Sequence, residues 1–178
     1  MTLTEELAQL AAVGALGVLR PEARLADIAA EYGEPEDLGP VSQRRRWPRR
    51  FGVGSVELLV CECRTLRSLT LSLASDEVTL PGPGYGQLRR FGSHVTESAL
   101  VSAMHSMCCH GKSREYDFGQ LDLETAPAEH VRVCFAFVDR ETYDGPPLEE
   151  WILAKAGFWT LGHGECSGPG AGDGTGQG

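Results

Sequence analysis

Two eight-residue blocks of this chain agree position by position, and that agreement constrains the fold more than any other feature. Phe51-Gly52-Val53-Gly54-Ser55-Val56-Glu57-Leu58 and Tyr116-Asp117-Phe118-Gly119-Gln120-Leu121-Asp122-Leu123 both read aromatic, small or turn-forming, apolar, Gly, polar, aliphatic, acidic, Leu. Each follows an arginine-containing polar stretch and a helix-like segment, and each precedes a second strand-like run, at residues 66–73 and 131–138. The unit therefore reads helix, strand, strand. It predicts that the two halves superpose with an offset of 65, Gly54 on Gly119 and Leu58 on Leu123. The expected fold class is α+β: two helix-hairpin (αββ) repeats forming an antiparallel sheet with helices packed on one face.

Local signals set the boundaries. Thr4 with Glu5 and Glu6 suits a helix start whose dipole is complemented by acid, and the helix is expected to run to about Leu16. Pro21 opens a second helical segment with Leu25, Ile28, Ala29 and Tyr32 at helical spacing, stopped by Gly33 and Pro35. Residues 34–50 turn to Pro, Gly, acid and then arginine and read as a loop. Val56, Leu58 and Val60, then Leu69, Leu71 and Leu73, alternate with more polar neighbours and predict a hairpin turning at residues 62–65. Pro81-Gly82-Pro83-Gly84-Tyr85-Gly86 reads as the connection between repeats. Thr96 with Glu97 begins a helix lined by Leu100, Met104 and Met107 or Cys108, and Gly111 is its expected stop. In the second hairpin Val131, Val133, Phe135 and Phe137 are directed to the core, and Pro146 and Pro147 lead into a closing helix bearing Trp151, Ala154, Lys155 and Phe158. The organisation is thus 1–80, N-terminal helices and first unit; 81–95, connection; 96–162, second unit and closing helix; 163–178, a disordered Gly-rich tail outside the fold.

Charge and cysteine content exclude several classes. A net charge of −9 disfavours general nucleic-acid binding, since a phosphate backbone is attracted to a basic surface. The longest apolar stretch, residues 7–19, is too short to span a bilayer and follows Glu5 and Glu6, so neither a membrane span nor an export signal is expected. The six cysteines, Cys61, Cys63, Cys108, Cys109, Cys134 and Cys166, are then expected as reduced thiols in a cytoplasmic protein.

Candidate chemistry is sparse. His105, Cys108, Cys109 and His110 lie close together, and His105 with Cys109 has the spacing that puts two ligands on one helix face. Zinc needs three or four ligands, and Cys61-Glu62-Cys63 could add to them only if the fold brought it there, so no metal is expected. Gly54-Ser55 lacks the second glycine of a nucleophile elbow, and Gly82, Gly84 and Gly86 are followed by no GK[ST], so neither catalytic residues nor a cofactor is assigned. The one strongly polarised segment is Arg44-Arg45-Arg46-Trp47-Pro48-Arg49-Arg50, whose five arginines leave the remainder of the chain at −14. Its bland reading is a solvated loop. Its functional reading is a partner-binding patch of Arg44, Arg45, Arg46, Trp47, Arg49 and Arg50, because arginine forks and tryptophan are the types enriched at interface hot spots.

The tandem helix-strand-strand pattern is similar to that of beta-lactamase inhibitor proteins and, as a single unit, of small outer-membrane assembly lipoproteins. The residues carrying this are Leu25-Ala26-Asp27-Ile28 through Gly33-Glu34-Pro35, followed by the aromatic-x-x-Gly-x-aliphatic-acid-Leu strand. Residues 20–80 also resemble a group of short, uncharacterised actinobacterial proteins, some encoded beside toxin genes and taken as immunity factors. The resemblance implies a non-enzymatic binding protein of immunity or inhibitor type, acting by contact with a protein partner such as a toxin. The alternative is a small-molecule-binding or enzymatic α+β domain.

Overall fold

The structure, a computed structural model, describes residues 1–139, 150–161 and 166. Its elements in chain order are α1 (Leu3–Val13), α2 (Leu25–Tyr32), β1 (Glu36–Ser42), β2 (Arg45–Val53), β3 (Val56–Val60), β4 (Leu66–Ser72), β5 (Glu77–Pro81), β6 (Leu88–Gly92), α3 (Glu97–Ser106), β7 (Lys112–Tyr116), β8 (Gln120–Ala128), β9 (Val131–Val138) and β10 (Ile152–Thr160). Eight strands form one antiparallel sheet in the order β1-β2-β3-β4-β10-β9-β8-β7, and β5 pairs with β6 in a separate ribbon. The chain is therefore α+β, and its sheet is built from two four-strand runs joined along the β4–β10 seam.

The helices are delimited by their caps. α1 starts two residues earlier than Thr4: the Thr2 hydroxyl accepts from the Glu5 amide and the Glu5 carboxylate accepts from the Thr2 amide at 2.7 Å. It stops at Gly14, whose φ of 71° is the left-handed turn that glycine adopts without cost, three residues short of the expected end. α2 begins at Leu25 rather than at Pro21 and ends at Gly33 as expected. α3 is capped by Thr96, as the sequence predicts, and ends at Met107 rather than at Gly111. Leu7, Leu10, Leu100 and Met104 are buried; α1 packs against α3, β8 and β9, and the Thr125 hydroxyl on β8 donates to the Ala11 carbonyl at 2.8 Å. That bond satisfies a carbonyl in the last turn of α1, where no intrahelical donor is left.

Strand alternation places the core. Val56, Leu58 and Val60 on β3, Leu69 and Leu71 on β4, and Val131, Val133, Phe135 and Phe137 on β9 are buried, while their neighbours face outward. Fully burying one such side chain stabilises by roughly 1.5–3 kcal/mol, so this inward face carries much of the stability.

Three expectations are corrected. Residues 34–50 are not a loop but the hairpin β1–β2. β1 is the sheet edge, so the amide missing at Pro40 interrupts no inner ladder and its polar residues can stay in water, which is why a strand forms from unpromising composition. The Pro/Gly-rich run at 81–86 is not a bare linker; it turns the chain between β5 and β6, a ribbon that lies between β4 and α3 and reaches into the expected 81–95 connection. The closing helix is the strand β10, inserted between β4 and β9. Trp151, Ala154, Lys155 and Phe158 do fall at helical spacing, but Ala156 and Phe158 are buried while Lys155 is exposed, and two waiting sheet edges override the local pattern. Pro146, Pro147 and, apart from Cys166, the 163–178 tail lie outside the described residues.

The two matching blocks are both strand-turn-strand, with Gly54 (φ 60°) between β2 and β3 and Gly119 (φ 77°) between β7 and β8. The offset of 65 equates β2, β3 and β4 with β7, β8 and β9. Counting outward from the β4–β10 seam instead equates β2 with β8 and β3 with β9, one strand out of step. Among the described residues, no helix is long and apolar enough to cross a membrane.

Candidate functional site

The arginine segment lies on β2 and the turn that precedes it. Along β2 alternate positions turn inward, from half-buried Trp47 and Arg49 to buried Phe51 and Val53. Arg49 is committed within the fold: its Nη2 and Nε donate to the two carboxylate oxygens of Asp37 on β1, at 2.7 and 3.3 Å. This guanidinium, helped by the Gly39 amide, holds the Asp37 carboxyl below its usual range. Trp47 is also committed, stacking on Phe51 at 6.4 Å, with the Arg64 guanidinium 4.1 Å and that of Arg49 5.9 Å from its ring centroid. Such cation–π contacts contribute about 0.5–1 kcal/mol when exposed and more when desolvated.

Four of the six expected contact residues remain available. Arg44, Arg45, Arg46 and Arg50 are exposed, and among the described residues no ion pair engages any of them. Leu38 and Val41 on β1 are 40% and 55% exposed, so the same hairpin presents apolar area beside its guanidinium groups. The hairpin thus exposes Arg46 and Arg50 on its outward face and Arg44 and Arg45 at its turn end, while Trp47 and the Arg49–Asp37 pair hold its other face.

Arg64, the residue over Trp47, belongs to the turn that joins β3 to β4. This turn is fixed by its own backbone, with the Cys61 amide donating to the Thr65 carbonyl (3.1 Å) and the Arg64 amide to the Cys61 carbonyl (2.9 Å). It is fixed again from outside, where the Leu25 amide donates to the Arg64 carbonyl (2.9 Å) at the start of α2. Arg64 takes the left-handed conformation, φ 62°. The sulfurs of Cys61, Cys63 and Cys166 all lie within 4.8 Å of one another here. Burial pushes the Cys61 thiol up, but hydrogen bonding with the Thr65 hydroxyl 3.1 Å away, with the backbone of Thr65 and Cys63 and with Cys166 brings it below its ordinary value. Cys63 moves the other way, to about 11, chiefly because it shares a hydrogen bond with Cys166, with burial and the nearby Cys61 adding to the rise.

The other candidates from the sequence do not converge in this way. The rings of His105 and His110 lie 5.0 Å apart and tilted, but among the described residues three ligating atoms meet at Cys61, Cys63 and Cys166 and not around Cys108 or Cys109. The sequence pattern alone places Cys166 in a tail outside the fold. The overlooked signal is the strand character of residues 152–160, because a last strand antiparallel to β4 returns the chain to the turn that holds Cys61 and Cys63.

A second feature lies on the sheet face opposite the core. Ser68, Thr70, Asp122, Cys134, Lys155 and Trp159 line a concavity of about 340 Å³ across the seam. Burial, reinforced by the charges of Asp122 and Glu124, pushes the Cys134 thiol up to about 11, so it is not an activated nucleophile. Comparison of the chain with protein-family models, with curated proteins and with solved structures finds no match.

Proposed function

We propose that this chain is a non-enzymatic, cytoplasmic binding protein of immunity or inhibitor type that docks an acidic surface of a protein partner through its β1–β2 hairpin. The observation that carries this reading is the set of four exposed arginines, Arg46 and Arg50 on the outward face of β2 and Arg44 and Arg45 at its turn end, on a hairpin whose remaining arginine and tryptophan are tied down. A local cluster of guanidinium groups beside exposed Leu38 and Val41 suits a carboxylate-rich protein patch. Nucleic acid suits it poorly, because the rest of the chain carries −14 and repels a long polyanion.

The test is capture of the tagged chain from its source cells, identification of the bound protein by mass spectrometry, and reconstitution with that protein in purified form. Hot-spot truncations cost upward of about 1 kcal/mol each, so Arg44→Ala, Arg45→Ala and Arg46→Ala combined are expected to weaken binding on the order of 100-fold. The triple variant should melt with the wild type, and its remaining binding should vary less with salt. Unchanged affinity in the triple variant, or tight salt-sensitive binding of the wild type to DNA or RNA, would refute the assignment. A second reading, a small-molecule site, is favoured by the concavity at the seam, and saturable ligand binding lost in Lys155→Ala but kept in the arginine variant would select it.

A further inference from the structure

The turn between β3 and β4 gathers more sulfur than packing requires. Cys61 and Cys63 come from the turn itself, while Cys166 comes from more than a hundred positions later, so the three thiols meet only because β10 runs back along β4. Buried structural cysteines are ordinarily small apolar residues that make weak hydrogen bonds. Here the Cys61 sulfur lies 3.1 Å from the Thr65 hydroxyl. A hydroxyl at that distance can donate to a sulfur that carries negative charge, which is the state a metal requires of it.

The turn that carries Cys61 and Cys63 is held before any ion arrives. Thr65 bridges to Arg24, the Leu66 amide donates to the Ala23 carbonyl at 2.9 Å, and the Arg64 carbonyl accepts from Leu25, so the turn is held on one side by the entry to α2. On the other side Arg64 covers Trp47. We propose that Cys61, Cys63 and Cys166 together bind one soft d10 metal ion, with Zn2+ as the representative cation. A zinc–sulfur bond of about 2.3 Å sets tetrahedral sulfurs about 3.8 Å apart, so sulfurs already within 4.8 Å need close by no more than about an ångström. Soft thiolate donors select Zn2+ or Cu+ over Mg2+ and Ca2+, and three of them leave a fourth position for water or an added thiol. Such an ion would tie the end of β10 to the arginine hairpin's supporting turn. The proposal uses none of the exposed arginines, so it stands or falls apart from the docking surface.

The experiment uses the full chain, purified without air and with reductant, titrated with Zn2+ against a chromophoric chelator and with Co2+ as a spectroscopic substitute. One metal per chain is expected, with a thiolate-to-cobalt charge-transfer band. Cys63→Ser and Cys166→Ser should each weaken Zn2+ binding on the order of 100-fold or more and diminish that band, since even outer-sphere losses reach 10–100-fold. Cys108→Ser, exposed and away from the cluster, should leave both unchanged. Cys166 lies beyond β10 and outside the described strands, so circular dichroism of Cys166→Ser should match the wild type and separate ligand loss from misfolding. Three results would overturn the proposal: no stoichiometric Zn2+ binding, binding that survives Cys166→Ser, or a Cys63–Cys166 disulfide in place of metal in protein kept from air.

Discussion

Gly157 pairs with Thr70 across the seam that joins the two halves of the sheet. A Cβ added there would fall on the Leu69 carbonyl oxygen and stand 3.2 Å from both the Leu69 carbonyl carbon and the Thr70 Cα. All three are main-chain atoms of β4, which β3 holds on its far side, so no side chain can swing aside. Gly157→Ala therefore forces β10 and β4 apart locally. Overpacking of this kind costs roughly 1–3 kcal/mol, and one or two weakened ladder hydrogen bonds add about 1 kcal/mol each. Against this, alanine restricts the unfolded chain and returns about 0.5–1 kcal/mol. A net loss of about 3 kcal/mol corresponds, for a chain of this size, to a fall in Tm of roughly 6–12 °C. Thermal melts followed by far-ultraviolet circular dichroism would read it, with urea midpoints as a second measure. Gly92→Ala on β6 is the control, since a Cβ there meets nothing within 4 Å and the change should stay within about 0.5 kcal/mol. If Gly157→Ala melted with the wild type, the strands would be further apart than described and the argument that glycine sets their spacing would fail.

Glu6 on α1 is buried, and its Oε1 lies 2.6 Å from Nη1 of Arg89 on β6 in an ion pair without hydrogen-bond geometry, neither that oxygen nor the Arg89 Nε making a hydrogen bond. Removing one partner of a fully buried pair costs about 3–5 kcal/mol, and because Arg89 is about a third exposed, Arg89→Met should cost nearer 2 kcal/mol. The double variant with Glu6→Gln should regain part of this in urea unfolding, and a double variant no more stable than Arg89→Met would sink the assignment. Asp37 supplies a pH dependence: Arg49, then the Gly39 amide, lower its folded-state pKa, so its contribution is complete above the unfolded carboxylate value and is lost as pH falls through the lowered one. Amide hydrogen exchange across β1–β2 should therefore quicken, relative to the other strands, as pH drops below about 4. Arg49→Met should abolish that selective quickening, and an identical profile in the variant would rule out the pair as its cause.

Helix termini and the central strands were legible because their signals are local. Thr96 with Glu97 marks α3, Gly33 ends α2, and the alternation of Val131, Val133, Phe135 and Phe137 marks β9 and its buried face. What could not be read depends on neighbours distant in the chain. β1 and β2 look like a loop because Pro40 and a run of arginines are poor strand formers, yet Pro40 sits on the edge strand β1, and β2 pairs with β3 only from Arg49 onward, so Arg45 and Arg46 stay in water. Residues 152–160 look helical until the open edges of β4 and β9 are in view. The arginine surface was visible as composition, but the tying down of Trp47 and Arg49 was not, and the cysteine cluster was lost along with β10 because its third member was placed in the tail.

The insertion of β10 at the middle of the sheet has a consequence for biosynthesis. A chain emerging from the ribosome completes β1–β4 and later β7–β9 while the strand that joins them is still to come. Until residues 152–160 appear, β4 and β9 each present a row of unpaired amides and carbonyls flanked by Leu69, Leu71, Phe135 and Phe137. Such edges recruit other strands readily. The interval before the last strand is released is thus when this chain is most open to pairing with another copy of itself, and a chain cut short before β10 leaves that interval without an end.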